Sequence, residues 1–504
     1  EEVSMKTKLL PLSAAILLAI STAQGASADE DAVIITDAVA TIDQTGEGNS
    51  ATASQGAGSG NKAYSATIVQ EGLDNTAGID QIGVGGNRTA SVNQDGDDNV
   101  ANIKQEFDAT DDADLTDASV AQTGNDNEAE VTQTDSLGAT ATVISILDGN
   151  SATITQTDSA TASASIDQNG NSLTATVTQA AATEGSSVEV VQTGENSTVS
   201  ADQRGEETTA LVSQTGGMGN YAYTWQDGDG NNATTTQTEG EYNWAYAYQY
   251  FDENTATNTQ TGGMGNYAYT WQYGDGNNAT TTQTEGEFNG AYITQLGDEN
   301  TATNTQTGDG FNWAIAWQNG DENTATIAQS GGEYNWAWAV QTGNENTADV
   351  SQTDGSGNNL RSNQTGNENS VTTTQTNTES SRATVDQTGD NNVSVIAQDL
   401  GTRLVATTEQ NGNGHNASIT QGGIQNAASI MQSDNDHISK IRQDVYGNRN
   451  ANNVANSIQT GSLNKSDIWQ RGPSDQNTAN VTQGGSENEA LVEQDGGNTS
   501  FTTI

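Results

Sequence analysis

Side-chain amides set the chemistry of this chain. Glutamine recurs every 23 residues at Gln226, Gln249, Gln272, Gln295, Gln318, Gln341, Gln364, Gln387 and Gln410. A second series, Gln237, Gln260, Gln283 and onward to Gln421, trails the first by 11 residues. Asparagines hold a fixed phase between them at Asn231, Asn243, Asn254, Asn266 and Asn277. A primary amide carries two donors and an acceptor oxygen. Identical amides stacked one above another can therefore bond each to its copies above and below, as Asn/Gln ladders do in cross-β assemblies. That is cohesive chemistry, and it explains why a buried amide, costly when unsatisfied, returns at one phase. The ladder is expected at Gln226, Asn231, Gln237, Asn243, Gln249, Asn254, Gln260, Asn266, Gln272, Asn277 and Gln283.

Two other residue sets could contact a partner. Of 26 aromatic residues, 21 lie between Tyr221 and Trp338. They recur two apart on one arm of the period: Tyr221, Tyr223 and Trp225, then Trp244, Tyr246 and Tyr248, then Tyr267, Tyr269 and Trp271. The series thins at Tyr292 and resumes with Trp313 and Trp317, then Trp336 and Trp338. Alternate residues of a strand share a face, so an outward aromatic face is expected. A contiguous apolar patch marks an interaction site, here for lateral bundling or adhesion to sugars and surfaces. The competing expectations are rings that only stack to stabilise the fold, or a face turned inward as core. The other arm carries outward threonines at Thr255, Thr257, Thr259, Thr301, Thr303 and Thr305. They would form a grid of ~6.7 by ~4.8 Å, similar to the T-x-T arrays of ice-binding solenoids. Threonine's preference for strands explains the same residues more simply, and Asn232, Asn278 and Asp349 interrupt the grid.

Nothing points to catalysis. There is no cysteine, and His415 and His437 stand alone where Asn is usual, so no Cys/His metal site is expected. Acidic turns such as Asp227-Gly228-Asp229 offer oxygens suited to Ca²⁺ but no full ligand set, and read as solvated charge. No nucleophile motif or phosphate loop occurs. The expectation is no enzyme, no cofactor and no metal.

These residues need elements to hold them. Each period splits into arms of the form Q-x4-N-x5-Q and Q-x5-N-x5-Q, both ending in a seven-residue unit from Asn to Gln. In Asn127 to Gln133 one parity carries Asn127, Ala129, Val131 and Gln133, the other Glu128, Glu130 and Thr132. Alternation of that kind means a strand whose apolar parity faces inward. Between arms lie Gly, Asp and Asn, which supply positive φ and tight turns. A period in this range signals a stacked-repeat architecture. The expected fold is an all-β solenoid of about 20 strand–turn–strand rungs, ~23 residues each, with cross-β stacking at ~4.8 Å. It occupies residues 29–504 and is most regular over 214–421. Glu106 to Asp117 reads as an exposed acidic loop, and Ser145 stands where Gln is expected.

Composition narrows the rest. Of 504 residues only 32% are hydrophobic, and 66 acidic residues face 14 basic ones for a net charge of -52. Without the period that composition would read as disorder; with it, disorder is rejected. The field repels polyanions, so nucleic acid is excluded as a partner. Residues 1–28 read as a secretory leader, with 1–4 upstream of Met5, basic Lys6 and Lys8, an apolar run from Leu9 to Ile20, and an A-x-A site at Ala26-Ser27-Ala28. Neither end of the array carries a recognisable cap, so its edges are expected to template further chains.

The unit Q-x-G-x-x-N-x-A-x-x-x-Q, as in Gln44-Thr45-Gly46 with Asn49, Ala51 and Gln55, or Gln122-Thr123-Gly124 with Asn127, Ala129 and Gln133, closely resembles the curlin repeat of curli, the secreted functional amyloid of Gram-negative bacteria. The resemblance covers nearly all of residues 38–504. It implies a β-solenoid subunit exported through a dedicated outer-membrane pore, met by nucleation proteins, and polymerised with itself into fibres on the cell surface for biofilm matrix and adhesion. This chain departs from the family in having many more repeats. The alternative function is a monomeric surface-, glycan- or ice-binding solenoid that uses its aromatic or threonine face.

Overall fold

Alternation makes each seven-residue unit a strand, and the turn residues bend the chain back before the next. In the computed structural model, Tyr221–Asp227, Asn232–Thr238, Trp244–Tyr250, Thr255–Thr261 and Tyr267–Tyr273 are successive strands. The structure describes residues 38–56, 63–83, 87–107, 115–180, 185–444, 452–471, 476–495 and 501–503. They contain forty strands and no helix. None of them forms a helix long and apolar enough to cross a membrane. The leader expected over 1–28 lies outside the described residues.

A strand does not pair with its chain neighbour. It pairs in parallel with the next strand but one, a full period later: Trp244 lies opposite Tyr267 and Gln249 opposite Gln272. Thr255 lies opposite Asn278, and Gln260 opposite Gln283. Alternate strands thus build two sheets whose inward faces meet, and two strands with their turns make one rung of a parallel β-solenoid. The chain divides into two compact units, Glu1–Gly216 and Gly217–Ile504. In the first, rungs run from Ala38–Thr45 to Thr209–Thr215; in the second, from Tyr221–Asp227 to Phe501–Thr503. A one-residue slip would turn every inward side chain outward, and in the regular block the register holds from rung to rung without a shift.

The core between the sheets is narrow and made of small residues. Ala279, Ile293, Ala302, Ala316, Ile327 and Val350 belong to one continuous apolar cluster. Ala233, Ala247 and Ala256 form a separate apolar cluster of only three residues. There the inward positions are polar: Thr224, Thr235, Asn258 and Thr270 are all fully buried. Asn258 donates to the Tyr246 carbonyl at 2.8 Å and accepts from the Thr270 hydroxyl at 2.8 Å. Pairing amide with hydroxyl satisfies Asn258 and Thr270, whereas the Thr224 and Thr235 hydroxyls are buried without a hydrogen-bond partner, so this stretch gains less than apolar packing would.

Of the loop expected over Glu106 to Asp117, residues 108–114 lie outside the described residues, and the described ends are strand. The strand Val100–Phe107 runs past Glu106, and the next strand begins at Leu115. Phe107 is buried with its ring centroid 4.4 Å from the Arg88 guanidinium carbon, and that cation–π contact holds the strand end at the acidic start of the insertion. Arg88 takes the inward position that an Asn holds in other rungs. It is 1% exposed, lies over Tyr64 at 4.9 Å and donates to the Ile82 carbonyl at 2.7 Å.

Candidate functional site

The ladder amides are inside. Gln226 donates from Nε2 to Gln249 Oε1 at 2.9 Å, Gln249 to Gln272 at 3.0 Å and Gln272 to Gln295 at 3.0 Å. On the opposite sheet Gln237 donates to Gln260 at 2.7 Å, Gln260 to Gln283 at 2.8 Å and Gln283 to Gln306 at 2.8 Å. Each amide also crosses the core. Gln249 Nε2 donates to the Asn232 carbonyl at 3.1 Å, and Gln260 Nε2 to the Trp244 carbonyl at 3.1 Å. One side chain therefore ties a rung to the next and one sheet to the other. In the unit before Gly217 the same columns run through Gln70, Gln94 and Gln122, and Ser145 keeps its place by donating to Gln168 at 3.2 Å.

The asparagines fasten the corners. Asn254 donates its backbone N–H to Asn231 Oδ1 at 2.9 Å, Asn277 to Asn254 at 3.0 Å and Asn266 to Asn243 at 2.9 Å. Their Nδ2 groups reach turn carbonyls: Asn231 to Phe251 at 2.6 Å, Asn277 to Gly297 at 2.7 Å and Asn243 to Gly262 at 3.3 Å. Corners also stack carboxylates, since Asp252, Asp275, Asp298 and Asp321 each accept the backbone N–H of the preceding rung's aspartate. No cluster of metal-ligating residues occurs among the described residues.

His415 and His437 are buried members of the asparagine column, their rings stacked 5.2 Å apart at 9°. His415 Nδ1 accepts the His437 backbone N–H at 3.3 Å, and His437 Nδ1 accepts that of Asn464 at 3.2 Å. An imidazole stands in for Asn only while Nδ1 is unprotonated. Burial first, then the neighbouring His437, pushes His415 down to about 4, against the weaker pull of the Asn411 backbone, Asp436 and Asp434. Because the folded value lies below the ordinary one, the unfolded chain takes the proton first as pH falls. The stabilisation is full above about pH 6.5 and is lost toward pH 4, amounting to roughly 2–3 kcal/mol. Denaturant titrations at pH 7 and pH 4.5 are expected to show this extra loss in the native chain and a smaller one in His415→Asn. Equal losses would overturn the assignment.

The aromatic residues face outward from one sheet. Trp244, Trp271, Trp317 and Trp336 are 48%, 39%, 49% and 40% exposed. Tyr221, Tyr223, Trp225, Tyr246, Tyr248, Tyr267, Tyr269, Trp313 and Trp338 are half-buried by one another. Rings within a rung are parallel, Tyr246 on Tyr248 at 3° and Tyr267 on Tyr269 at 9°. Between rungs they tilt, Tyr246 to Tyr267 by 38° and Tyr248 to Tyr269 by 45°. This is a herringbone, each pair contributing roughly 0.5–1.5 kcal/mol. It lies over the stretch where the core is polar. Burial, with smaller contributions from neighbouring phenols, holds the pKa values of Tyr246, Tyr248, Tyr267 and Tyr269 above the ordinary tyrosine value, so the hydroxyls stay protonated. For Tyr292 burial alone does so.

Thr255, Thr257, Thr259, Thr303 and Thr305 are half-buried and Thr301 exposed on the outer face of the other sheet. Thr257 lies opposite Thr280, which lies opposite Thr303, but Asn278 separates Thr255 from Thr301.

A second aromatic stripe was not anticipated. Tyr242, Phe288, Phe311 and Tyr334 sit at one corner in the left-handed region, with φ of 53°, 54°, 60° and 60°. They are 39–54% exposed, and Phe311 stacks on Phe288 at 5.4 Å and on Tyr334 at 5.1 Å. Bulky residues seldom adopt positive φ. The signal lay in the residue before the ladder Asn, where the chain elsewhere uses Gly219, Gly265 and Gly357.

Residues 36–64 match the family model of the curlin associated repeat. No curated protein matches the sequence.

Proposed function

We propose that the chain, whose residues 36–64 match the curlin associated repeat, is a structural subunit of extracellular amyloid-like fibres on a Gram-negative surface, polymerising head-to-tail. The observation that carries this reading is the in-register parallel stacking of one rung on the next, with Gln249 donating to Gln272 and Gln260 to Gln283, since strands stacked in that way extend by adding a further rung. The ladder adds direction. Glutamine Nε2 groups donate toward higher residue numbers, from Gln44 to Gln70 at 2.5 Å through Gln470 to Gln494 at 2.7 Å. A ladder whose donors all point one way favours head-to-tail over head-to-head growth.

Biofilm cohesion and adhesion follow as the use of such fibres. Export through an outer-membrane pore and a nucleating protein are the partners that this role requires, and the chain itself is the principal one. Seeded growth tests the proposal. Sonicated assemblies added to fresh chain are expected to abolish the lag in assembly. An unchanged lag, or no assembly at all, would favour a solenoid that works as a single chain.

A further inference from the structure

The geometry points to a binding face for an extended, uncharged β-1,4-linked polysaccharide on the aromatic sheet. Three observations on the second unit carry this, and none depends on fibre formation. The first is periodicity. Residues 215–260 and 261–306 differ at seven positions, so the repeating unit there is two rungs. Ring pairs are parallel within the two rungs holding Tyr246–Tyr248 and Tyr267–Tyr269 and tilted by 38° and 45° between them.

The second is the tryptophan column. Trp225, Tyr248, Trp271, Thr294 and Trp317 lie in register on successive rungs. Tryptophan therefore returns every second rung, at ~9.6 Å when rungs stack at ~4.8 Å. Successive sugars of an extended β-1,4 chain are flipped, so its chemical repeat is also two units and of closely similar length. A chain lying along the stacking direction sets every second sugar on an indole, with the smaller Tyr248 and Thr294 between. The apolar C–H face of a pyranose ring suits an indole ring, and the tyrosine hydroxyls, kept protonated, supply donors and acceptors for the sugar hydroxyls. Three columns two residues apart make the face ~13 Å wide, which fits the flat surface of a packed polysaccharide better than one strand in a cleft.

The third is charge. The chain carries a net charge of -52. Yet the outward positions of Tyr221–Asp227, Trp244–Tyr250, Tyr267–Tyr273, Gly290–Leu296 and Trp313–Asn319 hold no ionisable acid or base between the first residue and the ladder Gln except tyrosine. Two such faces brought together would press acidic corners such as Glu241, Glu287 and Asp252 against their copies, which disfavours a second copy as occupant. Anionic polymers meet the same repulsion. An uncharged polymer does not.

Sedimentation of the full chain with insoluble β-1,4-glucan tests this, with granular starch and polystyrene beads as controls. Trp271→Thr and Trp317→Thr are suitable substitutions because Thr294 already occupies that column one rung away. The full chain is expected to partition onto the β-1,4-glucan at low and high salt, and the double variant to partition about tenfold or more weakly. Thr257→Ala with Thr303→Ala, on the opposite sheet, is expected to leave partition unchanged. Far-ultraviolet circular dichroism of each variant checks that the sheet persists; if the double variant has unfolded, Trp317→Thr alone carries the comparison. Equal retention by starch or polystyrene, or retention indifferent to the tryptophans, would overturn the inference. So would self-pairing of soluble chains through this face without retention by the glucan.

Discussion

Gln272→Leu is expected to cost about 3–5 kcal/mol, an unusually large effect for one side chain. Leucine fills a similar volume, so the loss comes from orphaned polar groups. Gln249 Nε2 loses its acceptor, Gln295 Oε1 its donor, and the Thr255 carbonyl the bond at 2.9 Å that joins the two sheets. The ladder account makes a sharper claim about the triple substitution of Gln249, Gln272 and Gln295. Three independent losses would orphan nine groups. Replaced together, the three leave only Gln226 Nε2, Gln318 Oε1 and the carbonyls of Asn232, Thr255 and Asn278, five in all. The triple variant is thus expected to lose clearly less than three times the single one. Seven of the eight tryptophans lie in this block, so guanidinium unfolding followed by tryptophan fluorescence reads the difference. Additive losses would mean that the amides act as separate anchors and not as a ladder.

Gly274→Ala is expected to cost about 3 kcal/mol or more. Gly274 has φ of 128°, and a Cβ there would overlap the Gly297 carbonyl oxygen and lie 2.6 Å from its carbon. The neighbour has little room to yield, because Gly297 donates its N–H to the Tyr273 carbonyl at 2.9 Å. Two residues on, Gly276 has φ of 66° and a Cβ there would meet nothing nearer than the Glu299 side chain at 3.6 Å. Glu253 and Glu299 occupy that position in neighbouring rungs, at φ of 57° and 54°. Gly276→Glu is therefore expected to change stability by under about 1 kcal/mol. The two midpoints, measured side by side, separate a steric demand for glycine from a preference for it.

The fold was legible because its determinants are local and repeated. A strict alternation such as Asn127 to Gln133 admits one strand face as interior, and a 23-residue return of Gln admits one stacking partner. The ladder columns followed from the same facts, since a buried amide at constant phase has few other ways to be satisfied. What escaped notice depends on collective packing. The herringbone needs the rings of three rungs at once, and no spacing encodes a tilt. The buried Asn258 and Thr270 share a parity with apolar residues, but their mutual bond crosses between sheets. Phe107 extends its strand through a contact with Arg88, 19 residues earlier, which the acidic composition of residues 106–117 concealed. The corner stripe from Tyr242 to Tyr334 has no spacing of its own apart from the aromatic face, and its mark is the residue before each ladder Asn, held at positive φ.

Electron microscopy of the chain diluted from denaturant and followed over time bears most directly on the claim that rung-on-rung stacking joins copies into fibres. The account predicts unbranched filaments that lengthen as free chain is consumed. Separate particles of single-chain mass, persisting at the same concentrations, would contradict it.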